Sequence, residues 1–292
     1  MQPLISVIMP AYNCGKYIKE AIWSVMAQTY PDKELIIVND GSTDDTAQIL
    51  KELEASGFDW IKIIHQPNKG AATARNRAIA ESKGEYIAFL DADDYLHKGW
   101  LAVAMQELEE HKADVVSSNF HMVDENGQNP RLNPITDYIP AMLNYYDMLK
   151  NPKPLGFMVA KACYLKPLPH DEALRYAEDF DLWLRVLKLG AKWLFLNYPY
   201  ANYRLRKNST CHTYNKDIAS QLWHIYSKHI SSVGKVKAWL YYRKHLALYR
   251  YAMLKKALKS KEPWRIVKHA FIAARSPFFL PFAIARVFKL YI

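Results

Sequence analysis

Short apolar runs alternate with helical spacings of apolar residues along the first 120 residues of the chain. A continuous apolar run predicts a buried strand at Leu4–Pro10 and a second buried strand is predicted at Glu34–Val38. Further strands are predicted at Trp60–Ile64, Tyr86–Leu90 and Asp114–Ser118. Apolar residues three and four positions apart predict helices at Lys16–Gln28, from an N-cap at Thr43 to Ala55, at Gly70–Ser82 and at Gly99–His111. This alternation predicts a mostly parallel sheet covered by helices on both faces.

The strand and helix pattern weakens after residue 124. We predict a helix at Ala141–Leu149, a strong one at Asp179–Leu189, and strands at Lys192–Leu196 and Tyr200–Arg204. Beyond Asn215 the pattern is helical, with helices predicted at 217–231, 234–259, 263–274 and 281–290. We therefore place a boundary near residue 215, between an α/β domain (1–214, with halves at about 1–120 and 121–214) and a helical extension (215–292).

Charge is distributed unevenly along the chain, whose net charge is +10. Residues 218–292 hold 15 Lys and Arg and one acid, Glu262, so an anionic partner is expected for this extension. The apolar segment Ser276–Ala285, between Arg275 and Arg286, is too short to span a bilayer but suits the interface of an anionic membrane. The alternative is a helical extension that packs on the first domain. No nucleic-acid-binding module is recognised, so no nucleic-acid partner is expected.

The three cysteines, Cys14, Cys163 and Cys211, are far apart and show no metal-binding spacing. An odd count argues against a disulfide framework and favours a reducing compartment. The first apolar run, Leu4–Met9, is short and lacks a basic leader, so it is not expected to be a signal peptide.

Polar residues follow each of the first four predicted strands, where ligands bind in sheets of this kind. These segments are Pro10-Ala11-Tyr12-Asn13, Asn39-Asp40-Gly41-Ser42-Thr43-Asp44, Asn68-Lys69-Gly70 with Ala74-Arg75-Asn76, and Asp91-Ala92-Asp93-Asp94. Three carboxylates within four residues repel one another unless a cation lies between them, and Mg²⁺ and Mn²⁺ prefer oxygen ligands. A solvated turn or a helix cap explains the aspartates equally well.

Asp40 and Arg75 each allow two interpretations. Asp40 either belongs to an ordinary Asp-Gly-Ser turn or accepts a hydrogen bond from a base, with the following helix N-terminus facing anionic groups. Arg75 either neutralises phosphate or pairs with a surface acid.

Four motifs follow one another at the predicted strand ends: Pro-x-Tyr-Asn, Asn-Asp-Gly-Ser-x-Asp, Asn-x-Gly-x-x-x-Ala-Arg-Asn and Asp-x-Asp-Asp. In this order they resemble the motifs of the family 2 glycosyltransferases, which have the GT-A fold. The segment Ala177-Glu178-Asp179-Phe180-Asp181-Leu182-Trp183-Leu184-Arg185 resembles the Glu-Asp motif of that family. The resemblance covers residues 4–210 and implies a Rossmann-like, mostly parallel sheet with a nucleotide-sugar half and an acceptor half.

The resemblance also implies roles for individual residues. Ala11, Tyr12 and Asn13 would line the base and ribose pocket, Asp40 would bind uracil, and Arg75 would lie by the pyrophosphate or the donor sugar. Asp91 would reach ribose or sugar hydroxyls, and Asp93 would ligate Mn²⁺ or Mg²⁺. Asp179 would be the catalytic base, with Glu178 orienting the acceptor. Neighbouring donor-site residues would be Pro10, Gly41, Ser42, Asn68, Gly70 and Ala92.

Asp179 also has a physical case of its own. An inverting transfer needs a carboxylate that takes a proton from the attacking hydroxyl. Asp179 lies at the start of a predicted helix, whose N-terminus favours the ionised form that a base must have. A simple helix cap is the alternative, and Asp181 is a competing candidate that matches the motif less well.

One departure from the family pattern concerns the metal. Many members carry a His shortly after a Tyr-Arg pair, whereas Arg206 stands at the matching position after Tyr203-Arg204. Arginine does not ligate metals but does neutralise phosphate. His212 lies six residues further on and is a substitute ligand only if the chain folds back.

The expected function is therefore inverting transfer of a hexose (glucose, galactose or N-acetylhexosamine) from a UDP-sugar to a glycan or polyprenyl-diphosphate-linked acceptor. Family resemblance favours bacterial O-antigen, capsule or lipopolysaccharide synthesis, with the enzyme in the cytoplasm and peripheral on the inner membrane. The alternatives are a nucleotidyltransferase and a non-catalytic sugar-nucleotide or membrane-binding module. The sequence leaves the oligomeric state open, with a homodimer as one option.

Overall fold

The computed structural model describes residues 2–133, 141–152, 155–206 and 217–260, with side chains described up to residue 254. The chain divides into two compact units, one of Met1–Met148 with Lys153–Ser209 and one of Leu149–Pro152 with Thr210–Ile292. The boundary predicted near residue 215, the helices predicted at 263–274 and 281–290, and the apolar segment Ser276–Ala285 lie outside the described residues.

The first unit alternates strands and helices, and the second is helical. The strands are β1 (Ile5–Ala11), β2 (Lys33–Asp40), β3 (Ile61–Gln66), β4 (Tyr86–Phe89), β5 (Tyr95–Leu96), β6 (Val115–Val123), β7 (Arg131–Leu132), β8 (Met142–Leu143), β9 (Gly156–Lys161) and β10 (Trp193–Arg204). The helices are α1 (Ile18–Met26), α2 (Thr46–Ala55), α3 (Ala71–Glu81), α4 (Trp100–Glu110), α5 (Tyr145–Lys150), α6 (Ala162–Leu165), α7 (Glu178–Lys188), α8 (Ile218–Ser227), α9 (Ile230–Val233) and α10 (Lys235–Ser260).

One sheet in the order β3-β2-β1-β4-β9-β6-β10-β5 forms the centre of the first unit. Strands β3, β2, β1 and β4 are parallel, so their carboxyl ends lie along one edge. β9 lies antiparallel between β4 and β6, and β6 pairs in parallel with β10. The predicted α/β sheet is confirmed, but the sequence analysis missed β9, whose apolar run Phe157–Ala160 is short and follows a Pro-rich stretch.

Burial of apolar side chains holds the helices against the sheet. Every residue of β1 except Pro10 is buried, and α1 turns Ile18, Ala21, Ile22 and Val25 into the core. Each fully buried aliphatic side chain of this size contributes about 1.5–3 kcal/mol. This packing fixes the carboxyl end of β1, and with it the loop that begins at Tyr12.

Three predicted elements differ from the structure. The helix predicted from Thr43 begins at Thr46, where Asp44 Oδ1 accepts the Thr46 N–H at 3.0 Å, while Thr43 donates its own N–H to Asn13 Oδ1 at 2.8 Å. The helix predicted at Ala141–Leu149 begins at Tyr145, because Asn144 Oδ1 accepts the N–H groups of the next turn and Met142–Leu143 pairs with β10. The two strands predicted between 192 and 204 form one strand, β10, with irregular pairing near Pro199.

Helices α8, α9 and α10, together with Leu149–Pro152, form the described part of the second unit. Gly234, with φ of 81°, ends α9, and α10 packs on α8, where Trp223 and Tyr242 make an edge contact at 5.4 Å. No helix in the described ranges is both long and apolar enough to cross a bilayer. Of the cysteines, Cys14 and Cys163 are free thiols, and Cys211 lies outside the described residues.

Candidate active site

The loops after β1 and β2 are joined by reciprocal hydrogen bonds. The Asn13 N–H donates to Ser42 Oγ at 3.1 Å, and Asn13 Oδ1 accepts the Thr43 N–H at 2.8 Å. Asn13 has φ of 48°, in the left-handed region that asparagine tolerates better than most residues. These bonds place the predicted base-pocket segment, with Tyr12 half exposed, beside the Gly41-Ser42 turn.

Gly41 is required where the loop after β2 meets the loop after β3. It has φ of 70°, and a Cβ at this position would lie 2.7 Å from the backbone N of Asn68. Only glycine combines this conformation with so close an approach. Gly41 and Asn68, both predicted as donor-site residues, are thus brought together by backbone contact.

Asp40 closes the loop between β3 and α3. Its buried carboxylate accepts hydrogen bonds from Gln66 Nε2, the Lys69 N–H and the Gly70 N–H, each at 2.8 Å. An ionised carboxylate has about four acceptor positions, so the contact to uracil predicted for Asp40 has one left. Asp40 therefore organises the loop that carries Gly70, and its contact with a base stays a prediction.

Arg75 lies at the centre of three acids that come from two other segments of the chain. It is 7% exposed and binds Asp91 Oδ1 at 2.7 Å and Glu178 Oε1 at 3.0 Å, while Asp179 Oδ1 lies 3.6 Å away. Helix α3 supplies Arg75, the loop after β4 supplies Asp91, and α7 supplies the Glu178-Asp179 pair. The predicted donor-site and catalytic residues therefore meet at one guanidinium.

Asp179 lies in the first turn of α7, which follows Ala177 in the left-handed conformation (φ 58°). Burial alone would raise the pKa of Asp179, but Arg75 and His170 outweigh it and lower the pKa to about 2. Burial raises the pKa of the adjacent Glu178, and Asp179 adds to this effect. At neutral pH Asp179 is therefore ionised, the form in which a base works.

Asp181, the competing candidate, has a different environment. Its side chain is fully buried and its Oδ2 accepts a hydrogen bond from Arg185 Nε at 2.8 Å, one turn further along α7. This ion pair within the helix leaves Asp179 as the better-placed carboxylate of the motif.

The aspartates after β4 could hold a divalent cation. One carboxylate oxygen each of Asp91, Asp93 and Asp94 lies within 4.8 Å of the others. Arg75 binds Oδ1 of Asp91, Arg206 binds Oδ2 of Asp93, and the Arg204 N–H binds Oδ1 of Asp94, so each aspartate has a second oxygen. This hard-oxygen set fits Mg²⁺ or Mn²⁺. Burial, together with the neighbouring aspartates, raises the pKa of Asp93 and of Asp94. Ala92, between them, is buried.

Arg206 lies against this group. Its Nη1 is 2.9 Å from Asp93 Oδ2, its Nη2 donates to the Asn13 carbonyl at 3.4 Å, and its guanidinium lies 5.0 Å from the ring centroid of Tyr17. A permanent positive charge therefore contacts both the predicted metal ligand and the predicted base pocket. His212, the other residue considered for this position, lies outside the described residues.

Sequence reasoning missed two residues of this site. Arg204 is 3% exposed; it donates to the carbonyls of Asp93 and Glu125 and pairs with Glu20, so it fixes the end of β10 against the Asp-x-Asp-Asp loop. His170 is 2% exposed, and its Nε2 lies 3.5 Å from Asp179 Oδ1. The sequence shows a histidine shortly before the Glu-Asp motif but does not show that this histidine is buried.

Comparison with known proteins identifies the chain. The family model described as "Glycosyl transferase family 2" matches residues 6–166, more than half of the chain. The chain belongs to glycosyl transferase family 2. It is therefore a glycosyltransferase, as the motifs predicted.

Two similar bacterial proteins are named for teichuronic acid biosynthesis and for chondroitin synthesis. The chain is 32% identical over 234 residues to TuaG of Bacillus subtilis (strain 168), named as a teichuronic acid biosynthesis glycosyltransferase; the match covers 77% of this chain and 88% of TuaG. It is 40% identical over 202 residues to a chondroitin synthase of Pasteurella multocida (strain Pm70), covering 67% of this chain but 20% of that longer protein.

Solved structures confirm the GT-A-type fold. The S. aureus TarS fragment 1–349 in complex with UDP superposes with a TM-score of 0.66 at 23% identity, over 88% of this chain and 75% of that one. The same fragment in complex with UDP-GlcNAc gives a TM-score of 0.65 at 22% identity, over 91% and 88%. At this identity the likeness concerns the fold.

Proposed function

We propose that this family 2 glycosyltransferase moves a hexose from a UDP-sugar to a hydroxyl of a glycan acceptor, with inversion at the sugar carbon. The observation that carries the proposal is the meeting of Asp179, Glu178 and Asp91 at Arg75. It places an ionised carboxylate beside the residues predicted to hold the donor. The UDP and UDP-GlcNAc named with the TarS structures support a uridine nucleotide as the donor carrier.

The donor would lie along the edge formed by the loops after β1, β2, β3 and β4. Tyr12 and Asn13 would flank the base, and Asp40 would use its remaining acceptor position for the uracil N–H. A divalent cation held by Asp91 and Asp93 would neutralise the diphosphate and stabilise it as a leaving group. Arg206, already beside Asp93, would add its charge to the same phosphates.

The reaction would be a single displacement. The acceptor oxygen bonds to the anomeric carbon as the bond from that carbon to the β-phosphate oxygen breaks, and the electron pair of the broken bond leaves with UDP. Asp179 takes the hydroxyl proton and later releases it to solvent. Glu178, with its pKa raised by burial, would hold the acceptor by a hydrogen bond. General-base catalysis of this kind contributes roughly 10²–10⁴-fold to the rate.

Replacing the base tests this assignment. Asp179→Asn keeps the size of the side chain but removes its basicity, so UDP should bind as before while transfer falls by roughly 10²–10⁴-fold. Asp59→Asn, at an exposed position before β3, is the matched control and should leave both unchanged. Transfer by Asp179→Asn within ten-fold of the unmodified enzyme would remove Asp179 from the mechanism.

The acceptor would be a lipid-linked glycan of a bacterial surface polysaccharide, with the enzyme peripheral on the cytoplasmic face of the inner membrane. The named role of TuaG in teichuronic acid biosynthesis supports the polysaccharide class. On α10, Val236, Trp239 and Leu240 are 72%, 43% and 38% exposed, next to Lys235 and Lys237. Apolar and aromatic side chains beside lysines suit the headgroup region of an anionic membrane.

A further inference from the structure

The imidazole of His170 is buried against the proposed base. His170 is 2% exposed, and its Nε2 lies 3.5 Å from Asp179 Oδ1, just beyond an ordinary hydrogen bond. Neither ring nitrogen has a hydrogen-bond partner among the residues that the structure describes. Leaving a buried polar group without a partner destabilises a fold, so this arrangement calls for a functional reason.

The backbone that carries His170 is fixed from two helices. Asn76 of α3 accepts the His170 N–H at 2.7 Å and donates to the His170 carbonyl at 3.0 Å. Arg185 of α7 donates to the Pro169 carbonyl at 2.8 Å, and the ring of Phe89 packs edge-on at 5.7 Å. Asn76 belongs to the same Ala-Arg-Asn motif as Arg75. One helical turn therefore positions both neighbours of Asp179.

Both neighbours face the same oxygen of the carboxylate. Arg75 Nη1 and His170 Nε2 lie 3.6 Å and 3.5 Å from Oδ1 of Asp179. Burial, together with the charges of Arg75 and Arg185, lowers the pKa of His170, whereas Asp179 raises it. The ring is therefore neutral at pH 7 and offers a single N–H. A donor held on Oδ1 leaves Oδ2 as the atom that accepts a proton.

We propose that His170 is a positioning residue for sugar transfer: its Nε2–H closes onto Oδ1 of Asp179 in the loaded enzyme and fixes the carboxylate so that Oδ2 meets the acceptor hydroxyl. Catalytic hydrogen bonds that are long in a free enzyme commonly tighten in the complex with substrate. This role rests on the proposed function of Asp179 as base.

Two substitutions at His170 separate positioning from packing. His170→Gln keeps an N–H near the position of Nε2, whereas His170→Met fills a similar volume without a donor. His170→Met should lower kcat by roughly 10–100-fold, since misplacing a catalytic group by about 1 Å costs of this order, and leave KM for the donor within about three-fold. His170→Gln should recover kcat to within about five-fold of the unmodified enzyme.

A double-mutant cycle with Asp179→Asn gives a readout that a merely structural role would not move. Because His170 acts through Asp179, His170→Met should cause no further loss of kcat in the Asp179→Asn background. Additive losses of kcat in the double variant would overturn the proposal. So would a folded His170→Met enzyme with unchanged kcat. Equal losses of kcat in His170→Gln and His170→Met would overturn it as well. Thermal midpoints and UDP binding show whether each variant is folded. If His170→Met does not fold, His170→Asn takes its place, because the shorter amide does not reach Oδ1 of Asp179. An active Asp179→Asn enzyme would instead refute the role of Asp179 itself.

Discussion

Arg75→Met removes the guanidinium that three carboxylates share and keeps a side chain of similar length. Arg75 is 7% exposed, and Glu178, its most buried partner, is 18% exposed. Breaking a buried ion pair from one side costs about 3–5 kcal/mol. Asp91 and Asp179 are 45% and 44% exposed, so solvent screens their pairs and each adds little. We therefore expect Arg75→Met to lower the free energy of unfolding by about 3 kcal/mol at pH 7.

The size of this effect should depend on pH. In the unmodified protein Arg75 and His170 hold the pKa of Asp179 at about 2. The part of the stabilisation that comes from Asp179, which its exposure keeps small, is therefore present above about pH 4 and lost as pH falls through 2. Without Arg75 the three crowded carboxylates have raised pKa values, so the folded variant binds protons more readily than its unfolded chain and gains stability as pH falls. The difference in free energy of unfolding between the unmodified protein and Arg75→Met should therefore decrease by roughly 1 kcal/mol from pH 7 to pH 5.

Urea unfolding at pH 7 and pH 5, followed by tryptophan fluorescence, measures both quantities. Arg77→Met is the matched control, since Arg77 lies on the exposed side of the same helix and its loss should cost less than about 0.5 kcal/mol. If Arg75→Met lowers the free energy of unfolding by less than 1 kcal/mol, Arg75 does not stabilise the cluster as argued. The same follows if the difference in free energy of unfolding between the two proteins is equal at pH 7 and pH 5.

Two further predictions concern the metal group and the membrane. Arg206→Ala removes the guanidinium that pairs with Asp93, so Mn²⁺ should bind roughly three- to ten-fold more tightly in the presence of UDP, as measured by calorimetry. Arg206→Lys keeps a positive charge and should change the Mn²⁺ affinity less. Equal Mn²⁺ affinities in all three proteins would contradict this prediction. Replacing Val236, Trp239 and Leu240 together by Ser should lower cosedimentation with anionic vesicles at least five-fold and leave transfer to a water-soluble acceptor unchanged. Trp23→Ser removes a tryptophan of the first unit that is more exposed than Trp239, and it should leave cosedimentation unchanged. Retained binding by the triple variant would exclude this surface.

The parallel half of the sheet was predictable because its strands are short, mainly apolar segments that alternate with helical patterns, and the central strands β1 and β2 are almost wholly buried. β9 was not, since antiparallel insertion between β4 and β6 depends on pairing between segments distant in sequence, which periodicity does not encode. The start of α2 was misplaced because Thr43, a good N-cap by type, is engaged by Asn13 from another loop. Local rules fail at such positions when a tertiary contact competes for the same group.

The candidate site shows the same limit. Motif order identified Asp91, Asp93, Glu178 and Asp179, and the structure brings all four near Arg75 or Arg206. The sequence did not show that the Asp40 carboxylate accepts three hydrogen bonds from within the protein. The donors are two backbone N–H groups and the side chain of a glutamine distant in sequence, which no motif indicates. Nor did it show His170, whose significance comes from its burial beside Asp179.

Binding of nucleoside diphosphates tests the central claim, a UDP-linked donor, most directly. Thermal unfolding of the full chain would be followed with UDP, GDP, CDP and dTDP, each with and without Mn²⁺. A ligand at 100 times its Kd adds about 2.7 kcal/mol to stability, which is readily seen as a shift in Tm. A UDP-linked donor predicts a shift that is selective for UDP and grows with Mn²⁺. Equal shifts with all four nucleotides, or none with UDP in folded protein, would contradict it.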